Sequence, residues 1–349
     1  MRAADVTILT RTLGRPCLAD AAACVAAQTV RPREWLVVDA SGRGVDVPGA
    51  GEVPVRVVSA GRPLLRAPAG NLGFEQAMGR RIVVLDDDDL LLPAFVERLS
   101  DALDANPGSR VAYADVRVDT GDAGRTGVYR FEYSELLLLR RNLFPPNGGL
   151  FDTALVREHG VRYEPALDWF DDWDLWLQMS AHTPFLHVRE ELAVYRLGLS
   201  QSGVWNIDSP DADPELRGHE GLVRRRHAAR REAAEARQAG LKARARTFAA
   251  AGHWAQAAQA WLAAHRDYHY DPEPVIAYAE IALAAGDERA ARATVDAGLA
   301  LMPDSPEMHR ALAALLDRAG DAPGAREALA RAGSLAAATP PDELPIPRR

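Results

Sequence analysis

The feature that most limits what this chain can become is the stretch Ile82-Val83-Val84-Leu85-Asp86-Asp87-Asp88-Asp89-Leu90-Leu91-Leu92-Pro93, where a short apolar run stops at four consecutive carboxylates. A run this short, rich in branched side chains, reads as a strand buried on both faces, as in sheets covered by helices on each side. At the carboxyl end of such a strand the acids stand where open α/β sheets bind ligands. Adjacent carboxylates repel by about 1 kcal/mol per pair at ~4 Å even in a water-like dielectric, so positive charge is expected beside them. Alternate acids such as Asp86 and Asp88, given a turn, can offer hard oxygens to Mg²⁺ or Mn²⁺, which would neutralise a diphosphate. Capping of the following helix, opened by Pro93, explains one acid and leaves three.

The segments around this stretch alternate. Val6 to Thr10 reads as a strand and Leu18 to Gln28 as an Ala-rich helix. Trp35 to Val38 is a second strand ending in Asp39, and Val53 to Val58 a third. A Gly/Pro-punctuated loop leads to a short helix around Gly73 to Met78, and Pro93 opens a helix to about Asn106 before a strand over Val111 to Asp115. Strand and helix in turn predict a largely parallel sheet with right-handed crossovers. Asp39, the acid run and Asp115 should then gather on one edge of it.

Beyond Pro145-Pro146-Asn147-Gly148-Gly149 the pattern loosens, and a second acidic stretch appears at Asp171-Asp172-Trp173-Asp174-Leu175-Trp176-Leu177. The acids flank a helix start, while Leu175, Trp176 and Met179 have core-facing helical spacing. The tryptophans read as packing residues, with a stacking platform for a substrate ring as the alternative for Trp173, lodged between acids. Leu192 to Leu197 reads as a short strand.

Residues 206–237 read as a polar, Pro-containing linker and a connecting helix, separating a domain over 1–205 from a helical region over 238–339, with a tail over 340–349. In the helical region Gly252, Gly286 and Gly320 lie 34 residues apart; Ala245, Ala279 and Ala313, then Ala257, Ala291 and Ala325, then Trp261, Val295 and Leu329 keep the same period. Small residues at one phase let paired helices approach, and large ones at another fill the gap to the next pair. This resembles three tetratricopeptide repeats, although the usual late proline is matched in phase only by Pro303.

With 41 basic against 49 acidic residues the net charge is −8, which argues against nucleic acid as the main partner. Arg224-Arg225-Arg226, with Arg230 and Arg231, reads as a solvated helical face beside acidic neighbours. Cys17 and Cys24, the two cysteines, are about two helical turns apart, too far for a bridge within one helix. No apolar run of signal or membrane type occurs, and a cytoplasmic location is predicted. The Ala- and Arg-rich composition is of the kind that GC-rich bacterial genomes encode.

Taken together, Val6-Thr7-Ile8-Leu9-Thr10-Arg11-Thr12, Gln28-Thr29, Val37-Val38-Asp39, Asn71-Leu72-Gly73, Val84-Leu85-Asp86-Asp87-Asp88-Asp89 with Pro93, Asp171-Asp172-Trp173-Asp174-Leu175 and Tyr195-Arg196 resemble a family 2 glycosyltransferase in order and spacing. The resemblance implies a GT-A α/β domain joined to an all-α tetratricopeptide-like domain, and a metal-dependent, inverting, hexosyltransferase-type enzyme that moves one sugar. The donor would be a nucleotide-diphospho-sugar, UDP-linked in preference to GDP or dTDP. Arg11, Thr12, Asp39, Arg66, Asn71, Asp86 and Asp87 would hold that donor, and Asp88 with Asp86 the Mn²⁺ or Mg²⁺. Asp172 would be the base, with Asp171 in reserve. The chain departs from the family pattern at Ala40, where a second acid is common, at Gly70, where an Arg is usual, and at Gly198, where relatives often carry a His. The motif and membrane helices of processive synthases are absent. The helical region would offer an acceptor protein, peptide or glycan a platform, or form a homodimer surface. A catalytically decayed domain serving as a scaffold is the competing class.

Overall fold

A computed structural model describes residues 3–119, 121, 126–197 and 214–338. The chain divides into two units, one gathering the residues up to Tyr133 with Leu138–Ala228, the other Ser134–Leu137 with the residues from Ala229 on.

In the first unit the chain runs β1 (Ala3–Thr12), α1 (Leu18–Ala26), β2 (Arg31–Asp39), β3 (Val55–Ser59), α2 (Arg66–Gln76), β4 (Arg81–Val84), β5 (Leu90–Leu91), α3 (Phe95–Ala105), β6 (Val111–Asp119) and β7 (Thr126–Tyr129). Then come α4 (Glu135–Arg140), whose residues up to Leu137 group with the second unit, a 3₁₀ turn (Pro146–Gly148), β8 (Gly149–Asp152), α5 (Ala154–Arg157), α6 (Asp171–Ser180), β9 (Phe185–Arg196) and α7 (Pro214–Arg226). The nine strands form one mostly parallel sheet in the order β3-β2-β1-β4-β8-β6-β9-β5, with β7 beside β6. The long registers β1·β2, β2·β3, β1·β4 and β6·β9 are parallel, and the short ones to β8, β5 and β7 antiparallel.

Alternation sorts the side chains of β1 between two layers. Ile8 joins Leu18, Ala21, Ala22 and Val25 of α1 and Phe95, Val96 and Leu99 of α3 in one core, each helix burying residues three or four apart. Leu9 points the other way, so close to α2 that a Cβ on Gly73 would lie 2.3 Å from it. The expected helix around Gly73 to Met78 therefore starts earlier, at Arg66. Its glycines are close-approach positions, and Pro68 falls in the first turn, where a missing N–H costs little. Gly70 has the same character, because a Cβ there would stand 2.5 Å from the Tyr163 ring. Gly70→Ala is expected to cost about 1–3 kcal/mol by overpacking, measurable as a shift of the urea midpoint at unchanged slope.

One expectation needs correction, and one alternative falls away. Asp115 lies inside β6, which runs on to Asp119, and its Oδ1 faces His187 Nε2 at 2.7 Å. Trp173 is 2% exposed, and its Nε1–H donates to Leu138 O at 2.7 Å. It is core, with the Arg224 guanidinium over its ring, and cannot be a platform. The strand expected over Leu192 to Leu197 begins at Phe185, because His187, Arg189, Glu190 and Glu191 hide its alternation. Among the described residues no helix is long and apolar enough to cross a membrane.

The second unit continues with α8 (Ala228–Ala250), α9 (Trp254–Asp267), α10 (Pro272–Ala284), α11 (Glu288–Leu301), α12 (Pro306–Arg318) and α13 (Ala322–Ala338). Gly252, Gly286 and Gly320 sit between the members of successive pairs at φ +74°, +82° and +79°, the left-handed turn that glycine makes without strain. Ala257, Ala291, Ala245, Ala279 and Ala313 are buried, as are Trp261 and Val295, whereas Leu329 on α13 is 53% exposed. Of the expected linker and connecting helix, 206–213 lie outside the described residues, 214–228 group with the first unit and 229–237 with the second. Gly198 and the tail from 340 on also lie outside them.

Candidate active site

Because β1, β2 and β4 run parallel, Arg11 and Thr12, Asp39, and the acid run leave the sheet on one edge. The four acids fold into a turn closed by Asp89 N–H donating to Asp86 O at 3.1 Å, which aims consecutive side chains in different directions. Asp86 takes Arg11 Nε at 3.1 Å and Nη2 at 2.9 and 3.1 Å, and Arg66 Nη2 at 3.3 Å. Asp87 accepts the Thr12 hydroxyl and two nitrogens of Arg15. Asp88 has Arg15 Nη2 at 3.2 Å. Asp89 accepts the backbone N–H of Arg196 at 2.9 Å, while the Arg196 guanidinium bonds Asp88 O and reaches Asp20 at 2.7 Å. The positive charge that four adjacent acids demand is thus supplied within the chain by four arginines.

Those partners divide the acids electrostatically. Burial works against an ionised Asp86, but Arg11 and Arg66 outweigh it and hold its carboxyl below the usual range. Burial pushes Asp88 up, assisted by the charge of Asp86. Asp89 rises well above the usual range through burial and the charge of Asp88.

The second acidic stretch meets the first through Arg11. Its Nη1 donates to Asp171 Oδ2 at 3.1 Å while the same guanidinium holds Asp86, and it lies over the Tyr163 ring, 5.0 Å from the centroid. Arg66 adds its Nε at 3.7 Å from Asp171. Asp172, the next residue, has no cation at bonding distance among the described residues; its oxygens accept Asn142 Nδ2–H at 2.7 Å and Trp173 N–H at 2.8 Å. Burial and the charge of Asp171 push its carboxyl up to about 7. Asp174 is spent structurally on His227 Nε2 at 2.8 Å, Arg226 Nε at 3.0 Å and Gln178 Nε2 at 2.7 Å. The helix carrying these acids starts from Phe170 at φ +59°, the one non-glycine residue at positive φ among those described, a backbone cost on the order of 1–3 kcal/mol.

The remaining expected residues are tied down. Asp39 accepts Ser41 N–H and Oγ–H at 2.9 and 2.6 Å, Gly42 N–H at 3.1 Å, Gly44 N–H at 2.9 Å and Ser59 Oγ–H at 3.2 Å. Asn71 is clamped to Tyr163, Nδ2 to its O and Oδ1 to its N, both at 2.9 Å. That clamp sets Tyr163 between Phe74, stacked at 5.1 Å, and Arg11. Tyr163 and Arg11 fill the space a side chain at position 70 would need, which accounts for Gly70. Sequence reasoning misses Arg15, Asn142, Tyr163 and the guanidinium of Arg196. Of these, only the Arg15 of Thr12-Leu13-Gly14-Arg15 carries a signal, an arginine one turn beyond a strand end.

Residues 11–156 match Glycosyl transferase family 2. The uncharacterized glycosyltransferase YwdF of Bacillus subtilis (strain 168) is 24% identical over 183 residues, covering 50% of this chain and 67% of that protein. The uncharacterized protein y4gI of Sinorhizobium fredii is 31% identical over 111 residues, 32% of this chain and 12% of that one. Among solved structures, S. aureus TarS 1–349 in complex with UDP-GlcNAc matches with 12% identity and a TM-score of 0.48, covering 96% of this chain and 92% of that one. The likeness to glycosyl transferase family 2 lies within the N-terminal unit, over residues 11–156.

Proposed function

We propose that the chain is a nucleotide-sugar-dependent glycosyltransferase that moves one sugar, with inversion, to a protein, peptide or small glycan acceptor. The observation that supports this best is the unequal fate of two neighbouring acids. Asp171 is neutralised by Arg11 and Arg66, whereas Asp172 has no ion pair among the described residues and is pushed up to about 7, where a general base works best at neutral pH. In this reading the acceptor's proton passes to Asp172 as its nucleophilic atom forms the new bond to the anomeric carbon. The bond to the nucleoside diphosphate breaks on the opposite face through an oxocarbenium-like transition state. Arg11, Thr12, Arg66, Asp86 and Asp87 form the donor side. Asp39 and Asn71 contribute by holding the 39–44 loop and Tyr163 in place.

The donor set fits a divalent cation at one residue. Asp88, raised by burial and by neighbouring carboxylates, offers hard oxygens with one arginine contact. Asp86 does not fit, since both its oxygens face Arg11 and Arg66. No group of three or more His, Cys, Asp or Glu among the described residues could hold a metal alone, and Mg²⁺-type sites commonly draw their other ligands from substrate phosphates and water. A cation held by Asp88 would take up charge on the departing diphosphate.

The test is a thermal-shift screen of UDP, GDP, dTDP and CDP with and without Mn²⁺. A ligand at 100 times its Kd should stabilise the folded chain by about 2.7 kcal/mol. One diphosphate is expected to shift the transition in a Mn²⁺-dependent way, and Asp88→Ala to remove that dependence. Silence from all four would leave the helical unit as the working part, with its 34-residue period read as tetratricopeptide repeats.

A further inference from the structure

A base has to be held in two states, as the carboxylate that receives a proton and as the acid that has received it. As a carboxylate, Asp172 accepts Trp173 N–H on Oδ1 and Asn142 Nδ2–H on Oδ2. Asn142 lies between α4 and the 3₁₀ turn, 30 residues before its partner. Its other end, Oδ1, is buried and accepts no hydrogen bond from the described residues. A buried amide oxygen left unpartnered costs on the order of 1–3 kcal/mol, and such groups in folded proteins ask for a reason.

The other groups around Asp172 cannot follow a change of protonation. Asp171 is fixed by Arg11 and Arg66. Arg66, which pulls Asp172 down, can only donate and so suits only the carboxylate. Tyr163 and Tyr195, whose phenols feel the charge of Asp172, make no hydrogen bond to it, and the Tyr163 hydroxyl is itself buried and unpartnered. An asparagine amide is different, because its oxygen and nitrogen exchange places by a half-turn about one bond.

We propose that Asn142 is a positioning residue that serves both protonation states of Asp172, donating Nδ2–H to the carboxylate and turning to accept the Oδ2–H of the acid on its own Oδ1. The inference rests on Asp172 being the base. The proton comes from the acceptor and ends on Asp172 Oδ2; no covalent bond of Asn142 changes. The amide oxygen that lacks a partner in the resting site is the one the protonated acid needs.

The experiment follows the Asp carboxyl ¹³C and the Asn side-chain ¹³C and ¹⁵N resonances of the full chain by NMR between pH 5 and 9. Asp172→Asn and Asn142→Leu assign the two residues. The expected result is that the Asn142 amide resonances move with the same midpoint as Asp172, near 7, and stop moving in Asp172→Asn. Asn142→Leu should also lower kcat about 10- to 100-fold, the loss of one hydrogen bond to a charged group, with the donor KM unchanged. Asn142 resonances that stay still while Asp172 titrates near 7 overturn the inference and leave the base assignment standing. Asp172 titrating in the usual carboxylate range overturns both.

Discussion

Asp172→Asn is expected to lower sugar transfer by roughly 10²- to 10⁴-fold, the usual contribution of a positioned general base, and at the same time to stabilise the fold. The second effect follows from the direction of its shift. In the unfolded chain Asp172 ionises at the ordinary carboxylate value; in the folded chain burial and Asp171 delay ionisation to about 7. Below the unfolded value both states are protonated and the residue costs nothing. Between that value and about 7 the unfolded chain loses its proton first, so folding is increasingly penalised, and above 7 the penalty is complete. An amide escapes it. Allowing for partial exposure, the gain should be about 1–3 kcal/mol at pH 8 and vanish near pH 4, read as the difference in urea midpoint between variant and parent across pH. The acid limb of the parent's kcat profile should fall near the same value. Wild-type turnover in the variant would remove Asp172 from the mechanism. A variant less stable than its parent at pH 8 would contradict the burial account.

Arg11→Met should act in the opposite sense and unfold the domain more readily. One guanidinium, 7% exposed, bonds two carboxylates that lie 85 residues apart, the half-buried Asp86 and the buried Asp171. Removing one partner of a buried ion pair leaves an uncompensated charge and commonly costs about 3–5 kcal/mol. Arg66 reaches both acids at longer range, so the lower end is expected. The triple variant Arg11→Met, Asp86→Asn, Asp171→Asn should recover much of the stability, because it removes the orphaned charges with their partner, and none of the activity. Urea unfolding of the single and triple variants measures this. A loss under about 1 kcal/mol in the single variant would mean that Arg66 alone neutralises the pair.

How far the sequence could be read follows from which forces act locally. Asp86–Asp89 and Asp171–Asp174 are contiguous, and their positions at a strand end and a helix start are consequences of short-range pattern, so both were legible. Helices α1 and α3 and the leading strands were legible for the same reason. The arginines were not. Adjacent like charges announce that a cation is required, but Arg11, Arg15, Arg66 and Arg196 reach them from up to 160 residues away, and Mg²⁺ or Mn²⁺ would meet the same demand. Glycine misled in α2, where it was read as a loop marker. Gly70 and Gly73 are there because Tyr163 and Leu9 press against the helix, a tertiary fact. Asp115 was misplaced for a related reason, and the platform alternative for Trp173 fails on the same ground. A charged residue inside a long strand and an indole among acids look functional in one dimension, and become structural once His187 and Leu138 O stand opposite them.

The turn at Asp86–Asp89 bears on how relatives of this chain should be compared. Its four acids are chemically identical and physically distinct, one bound to Arg11, one to Thr12 and Arg15, one with Arg15 as its sole ion-pair partner among the described residues, and one on the backbone of Arg196. A slip of one position along the run would leave composition, charge and local hydropathy unchanged while handing every carboxylate its neighbour's partner. Counting acids therefore cannot establish that two such sites are equivalent. The frame is carried by the residues at the far ends of the hydrogen bonds, and an alignment anchored on Arg11, Arg15 and Arg196 would detect a slip to which the acids themselves are blind.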